Sequence, residues 1–457
     1  MRLAAVTAGD LPDEIARFSY ERASQRTGII HFGIGAFHRA HQAWYTDRAM
    51  DAGDRDWAIT GVSLRSPDVA AQLNPQQGLF TVTEQPTSGS KTRLVGSLRE
   101  VLVAASDVPA IARVLRAAET RIVSFTVTEK GYCRTPEGSL DLELAERGFY
   151  PLLAGAMDVR RTQGLPGLTL LSCDNLAQNG RQLRRLMSEY LAASAKHLLP
   201  WFEAECRCPS SMVDRIVPAS TALARDALAS RLGMVDEAAV FTEPFTQWVI
   251  EDDFAAGRPA WDRVGAQVVS DVGPYETAKL RMLNGAHSAL AYLGLERGHT
   301  FVHQAIADPK IAPLINHLIR KEAAPTVAAG PEQDLGHYAS SLMERFANPA
   351  LQHRLKQIAM DGSQKIPQRW LETLAGQARR GRSCPAILQA MAAWLRHVRQ
   401  ETQLIEDPLA EKLRELWRKH GSEEIAHSVF AEGGLLASAW RPSDRDFAVL
   451  SSCLAPA

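Results

Sequence analysis

The chain has 457 residues, 51 Lys and Arg against 52 Asp and Glu, a formal net charge of −1 and 46% hydrophobic residues. That length fits two or three domains with an ordinary core. The balanced charge shows none of the clustered basic excess that a nucleic-acid-binding protein carries, so the expected partners exclude nucleic acid.

The first twenty residues, MRLAAVTAGDLPDEIARFSY, hold no apolar core of about seven residues with a cleavage signal, which gives no expectation of a secretory leader. No run approaches the roughly 18 uninterrupted apolar residues of a membrane span, so no membrane association is expected. Cys133, Cys173, Cys206, Cys208, Cys384 and Cys453 are scattered, and the Cys206, Cys208 pair is too tight for a zinc C-x2-C knuckle. Reduced thiols in a cytoplasmic protein are the expectation.

In chain order, residues 28–34 read as a buried strand running into a glycine turn, and residues 41–50 as the helix that follows. Residues 57–64, 121–127 and 168–172 read as further strands with helices between them, which implies a mostly parallel α/β sheet. Residues 85–91 read as a hairpin tip or flexible loop. From about residue 271 the pattern becomes helical, at 275–293, 351–358 and 386–399, with almost no strand signal. The expected organisation is therefore a Rossmann-type dinucleotide-binding domain over 1–270 and a mainly α-helical substrate or catalytic domain over 271–457. The stretch 386–417 reads as loose helix, on the surface or at an interface.

The turn itself is GIGAFHRAH, residues 33–41. Gly33 allows a tight turn, Gly35 lets a pyrophosphate approach the backbone, and the helix N-terminus offers amide donors. With Ile34, Ala36 and Phe37 these form the expected cofactor contacts. The third glycine of the fingerprint is replaced by His38. After the second strand the usual ribose-binding acid is missing from its place. Asp68 stands a few residues on, while Arg65 and Ser66 would suit a 2′-phosphate, so this segment alone leaves NAD and NADP open.

The helix pattern from Tyr275, bounded by Pro274 and Gly294, is apolar nearly all round and so reads as buried. At 3.6 residues per turn Glu276, Lys279, Asn284 and His287 fall within an arc of roughly 140°. Burial lowers a lysine pKa toward the range of a general base, and Asn and His donate hydrogen bonds to a developing alkoxide. That is the equipment of alcohol oxidation without a metal. A plain Glu276–Lys279 ion pair and a satisfied core histidine would also explain these residues. No histidine or cysteine spacing forms a convincing zinc site, and no metal is expected.

Six ordered motifs carry a family resemblance: GIGAFHRAH (33–41), TEKGY (128–132), CDN (173–175), VDRI (213–216), QWVIED (247–252) and the Lys279, Asn284, His287 set. Together they resemble the polyol-specific long-chain dehydrogenases, the mannitol dehydrogenase family, over about residues 27–375. The resemblance implies a Rossmann-type domain and a helical domain with the active site between them, and a lysine base without zinc. On that pattern Lys279 is the base, Asn284 and His287 are the oxyanion donors, and Asn175 assists at the reacting oxygen. Asp214 tunes the lysine, Glu276 links it to solvent, and Glu129 joins the cofactor contacts. The resemblance favours NAD over NADP.

Three segments, residues 61–68, 279–287 and 357–369, resemble most the fructuronate reductases of this family, which interconvert D-fructuronate and D-mannonate. The implied substrate is a small sugar acid, with Lys365 and Arg369 as carboxylate ligands by charge-assisted hydrogen bonds. Two charges on a solvated helix end would be the plainer reading of that pair. A mannitol or arabinitol 2-dehydrogenase is the nearest competing function, and a silent sugar-acid or dinucleotide sensor is a more distant one. The intact Lys279, Asn284, His287 set speaks against a sensor, which needs no buried base. Oligomeric state is open from the sequence, and a monomer is compatible with it.

Overall fold

The computed structural model describes residues 1–400 and 405–455. The chain divides into two compact units, Met1–Val272 and Gly273–Ala457.

The first unit holds eleven strands among its described residues: β1 (Thr27–Phe32), β2 (Ala58–Ser63), β3 (Phe80–Glu84), β4 (Lys91–Val95), β5 (Leu98–Val103), β6 (Ile122–Phe125), β7 (Thr169–Ser172), β8 (Ser211–Asp214), β9 (Val240–Thr242), β10 (Gln247–Glu251) and β11 (Gln267–Val269). Five of them form one all-parallel sheet in the order β5-β2-β1-β6-β7. The chain runs outward from β1 through β2 to β5, then returns to the other side of β1 with β6. This reversal is the topological switch point at which open α/β sheets bind ligands. Both faces of the sheet are covered, so its strands are apolar throughout rather than alternating. Ile30, Phe32, Val123 and Phe125 pack toward the helices Val108–Arg116 and Tyr150–Thr162, while Ile29, Ile59 and Ile122 pack toward Gln42–Asp51. Each such side chain, fully buried, stabilises the fold by about 1.5–3 kcal/mol.

Two small sheets complete the unit. β4-β3-β9 contains the β3–β4 hairpin, whose tip lies between Glu84 and Lys91. In β11-β10-β8, β10 runs antiparallel to β8 and carries Trp248 into the core.

The second unit is helical. Its only strand-like pairing among the described residues is an isolated bridge between Phe301 and Arg354. The helix Pro385–Arg399 buries Ile387, Leu388, Met391, Trp394 and Leu395 completely, so it is core and not a loose tail. Of the stretch read as loose helix, residues 401–404 lie outside the described residues.

The segment 275–293 also departs from its sequence reading. It is an α-helical turn, Gly273–Ala278, then a π-helical turn, Lys279–Asn284, then the α-helix Gly285–Glu296. Hydrophobic periodicity reports which residues are buried. It does not report the extra residue that a π turn inserts. Gly294 is likewise not the helix stop. It sits inside the last helix, where an added Cβ would lie 2.6 Å from Leu355 Cδ1 and 2.8 Å from Ala305 Cβ. Gly298, at φ +78°, follows the true end. No helix among the described residues is long and apolar enough to cross a membrane.

Candidate active site

At the switch point, β1 ends in Phe32 and the chain turns at Gly33, whose φ is +94°. A Cβ there would lie 2.1 Å from Thr126 O, just past β6. Gly33 is therefore demanded by the fold: its amide donates to Val62 O (2.9 Å), and Thr126 Oγ1 donates to its carbonyl (2.6 Å). Ile34 turns inward and packs against Gly61.

Gly35 differs. Its φ is −103°, open to any residue, and an added Cβ would meet nothing closer than Gly33 O at 3.8 Å. Packing gives no reason for a glycine here, and the space beside it is free for a ligand's phosphates. Gly35 also caps the short helix Ala36–Ala40 without a side-chain hydrogen bond, leaving that turn's amides for an anion. The turn therefore fits a dinucleotide. We expect Gly33→Ala to lose about 2 kcal/mol or more of stability in denaturant melts, from left-handed strain plus the clash. Gly35→Ala should keep its stability but bind NADH roughly tenfold more weakly, by isothermal titration.

The histidine in place of the third glycine is also explained. His38 is buried and its ring stacks on His31 at 3.5 Å. His31 is held between Ser124 Oγ and Thr126 Oγ1, each at 2.8 Å. Burial pushes His31 down to about 3 and His38 well below its ordinary value, so both are neutral wedges beneath the turn. The helix read over 41–50 breaks at His41 (φ −122°, ψ −95°) into Ala36–Ala40 and Gln42–Asp51, and Phe37 stacks on His41 at 5.0 Å.

Beyond β6, Glu129 lies exposed in the short helix Thr128–Gly131. Asp174 positions that segment: it accepts from Val127 N (2.9 Å), Thr128 N (3.0 Å) and Tyr132 Oη (2.8 Å). In the sequence Asp174 stands out only as part of the CDN motif, residues 173–175. Its signal was an acid next to Asn175, which lies exposed just past β7. Asn179 Nδ2 donates to Ser172 O, Asp174 O and Ser211 O, which pins this loop to β8. At the end of β8 is Asp214, buried and in register with Gln247. Asp68 is exposed at the start of the helix Asp68–Leu73, with its amide donating to Ser66 Oγ (3.1 Å).

In the second unit, Lys279 opens the π turn and Asn284 closes it, with Glu276 one α turn earlier; all three are half-buried. In a π turn, residues five apart bond along the backbone, so Lys279 and Asn284 stand on one face. His287 follows, buried against Phe346 at 4.8 Å. Burial, then His353, Arg345 and Arg369 beside it, hold His287 well below its usual range and neutral. Its Nε2 is enclosed and has no hydrogen-bond partner.

Arg369 lies in another π turn, Pro367–Leu371. It donates through Nη1 to Ser288 Oγ (2.8 Å) and to Asn284 O (3.4 Å), while Trp370 Nε1 donates to Gly285 O (3.0 Å). The two π turns are thus tied side by side. Burial pushes Arg369 down to about 10, which leaves it charged at neutral pH. Lys365 donates to the carbonyls of Ile358 and Met360, and burial, then Arg369, lowers its pKa. Neither charge sits on a solvated helix end: both are half-buried. Among the described residues no group of three or more His, Cys, Asp or Glu is arranged to hold a metal.

A parallel sheet with a glycine turn at its switch point, and a half-buried lysine and asparagine followed by a buried histidine on helix, are the parts of a nicotinamide-type oxidoreductase. The Mannitol dehydrogenase Rossmann domain matches residues 27–263 and the Mannitol dehydrogenase C-terminal domain matches residues 271–437, so the chain belongs to the mannitol dehydrogenase family. It is 37% identical to the D-mannonate oxidoreductase of Escherichia coli (strain K12), over 97% of this chain and 95% of that one. It is 35% identical to a mannitol 2-dehydrogenase of Aspergillus fumigatus, over 89% of this chain and 86% of that one. Among solved structures it resembles the Pseudomonas fluorescens mannitol 2-dehydrogenase ternary complex with NAD and D-mannitol (TM-score 0.83, 34% identity, 99% and 96% of the two chains). It also resembles a substrate-free D-sorbitol dehydrogenase (TM-score 0.88, 30% identity, 99% and 97%).

Proposed function

We propose that this protein is an NAD-dependent reductase of D-fructuronate to D-mannonate, working in both directions without a metal. The carrying observation is the face formed by Lys279 and Asn284 on one π turn, followed by the neutral, unpartnered Nε2 of His287. Bound NAD supplies the hydride acceptor for oxidation, and NADH the donor for reduction.

In oxidation, Lys279 Nζ in its amine form takes the hydroxyl proton. The Asn284 amide and the His287 ring N–H donate to the alkoxide oxygen, and the hydride leaves its carbon. In reduction the same donors polarise the keto oxygen and the Lys279 ammonium returns the proton. Because His287 is neutral it donates a hydrogen bond without surrendering a proton. Asn175 is assigned to the same oxygen, Asp214 to tuning the lysine and Glu276 to its proton exchange with solvent. Asp68 and Glu129 are assigned to the cofactor with residues 33–37.

For the substrate, Arg369 is charged, half-buried and has donors beyond those it gives to Ser288 and Asn284. A uronate carboxylate suits it, with Lys365 alongside. The similarity to a D-mannonate oxidoreductase supports this reading. The similar identity to a mannitol 2-dehydrogenase supports a polyol–ketose reading of the same catalytic set. Six cysteines without disulfides support a cytoplasmic location.

The test is a substrate panel with purified enzyme: D-fructuronate and D-fructose, each with NADH and with NADPH. The expected result is turnover of fructuronate with NADH well above the other three pairs. Arg369→Gln should then lower kcat/KM for fructuronate by about 100-fold or more, as loss of a charged hydrogen bond implies, and fructose by much less. Preference for fructose would overturn the sugar-acid assignment.

A further inference from the structure

Two imidazoles meet edge to face in the second unit, and the mechanism uses one of them. The ring of His353 stands 5.3 Å from that of His287 at 85°. Its backbone is fixed from both sides. Val302 N donates to His353 O (3.0 Å), Leu355 N donates to Thr300 O (3.0 Å), and Phe301 bridges Arg354 between them. The backbone that carries the ring is therefore held by strand-like pairing even though it lies on a connecting segment.

Nδ1 of His353 is enclosed and has no hydrogen-bond partner, the same condition as Nε2 of His287. An enclosed nitrogen without a partner destabilises the fold, so two of them side by side need a reason. Burial holds His353 below its ordinary pKa, so at neutral pH the ring offers one N–H and one lone pair. A hydroxyl, which both donates and accepts, satisfies either nitrogen. His287 also packs against Phe346, ring centroids 4.8 Å apart, which offers it no hydrogen bond. The pair thus carries two neutral nitrogens without a partner, as suits a ligand with oxygens on neighbouring carbons.

We infer that His353 is a substrate-binding residue whose Nδ1 takes a hydroxyl on a carbon next to the reacting one, while His287 takes the reacting oxygen. This rests on the assignment of His287 as donor to that oxygen. It makes His353 a reader of configuration: an epimer or deoxy analogue at the neighbouring carbon leaves Nδ1 without its partner.

The test compares His353→Phe with His353→Asn. Phenylalanine keeps a ring edge against His287 and removes the nitrogen. Asparagine keeps a polar group near the Nδ1 position and removes the ring. The expected result is a KM raised about tenfold in His353→Phe with little change in kcat, and a KM within about threefold of wild type in His353→Asn, as one neutral hydrogen bond implies. The reverse order, with phenylalanine near wild type and asparagine impaired, would show a packing role and overturn the inference.

A second readout needs no variant to be active. In wild-type protein with nitrogen-15-labelled histidine, the Nδ1 resonance of His353 is identified by its absence in His353→Asn. It should move when D-mannonate or D-mannitol is added to the NADH-saturated enzyme. If neither ligand moves it, the inference is wrong whatever the enzyme turns over. If it moves but fructuronate is not reduced, the proposed reaction falls and the role of His353 stands.

Discussion

Lys279→Ala should lose about 100- to 10,000-fold in kcat while NADH binds as in the wild type. The reason lies in the separation of tasks along the chain. The glycine turn, Gly33 to Phe37, belongs to the first unit, and Lys279 opens the π turn of the second. Under the proposed roles, removing an amine from the π turn takes away the proton acceptor and leaves the cofactor turn intact. Small primary amines added to Lys279→Ala should restore part of the rate, because the missing group is a base and not a shape. Lys279→Arg should not recover it, since a guanidinium stays protonated and cannot accept the proton. Stopped-flow measurement of NADH oxidation, with NADH fluorescence titration beside it, gives both quantities. A loss under threefold in Lys279→Ala would contradict the assignment.

The second large effect is expected at Asn284. Asn284→Ala should lower kcat by about 100- to 1,000-fold, the usual cost of one oxyanion donor, with KM nearly unchanged. The substitution is clean because the neighbouring bond runs through the backbone: Arg369 Nη1 donates to Asn284 O, which alanine retains. The π turn and its tie to the π turn Pro367–Leu371 should therefore survive, and thermal melts should show little change. Asn284→Asp should be no better than alanine, since a carboxylate cannot donate and repels the alkoxide. A rise in KM alone would make Asn284 a ground-state binding residue.

Most of the sheet was legible because buried parallel strands are short apolar runs: β2, β6 and β7 lie within the segments read as strands, β1 overlaps its segment with one residue before it, and the edge strand β5 was not read. The glycine turn was legible because Gly33 and Gly35 follow β1 directly, although only the structure separates a glycine required by the fold from one required by a ligand. The π turns were not legible. Lys279, Asn284 and His287 are buried or half-buried on either helical period, so the apolar pattern does not reveal the inserted residue. The helix Pro385–Arg399 was seen as a helix, but its periodicity does not say what it packs against, and its burial follows only from the structure. His353 left no trace at all. It lies between short helices, and its significance comes from His287, distant in sequence.

The most direct test of the central claim is one tube containing chelator-treated enzyme, NADH carrying deuterium at the transferable position, and equal amounts of D-fructuronate and D-fructose. Product NMR should show deuterium on the former keto carbon of D-mannonate, in clear excess over deuterated hexitol, at the rate seen without chelator. Deuterium in neither product, or a rate abolished by chelation and restored by a divalent metal, would contradict a lysine-based, metal-independent hydride transfer.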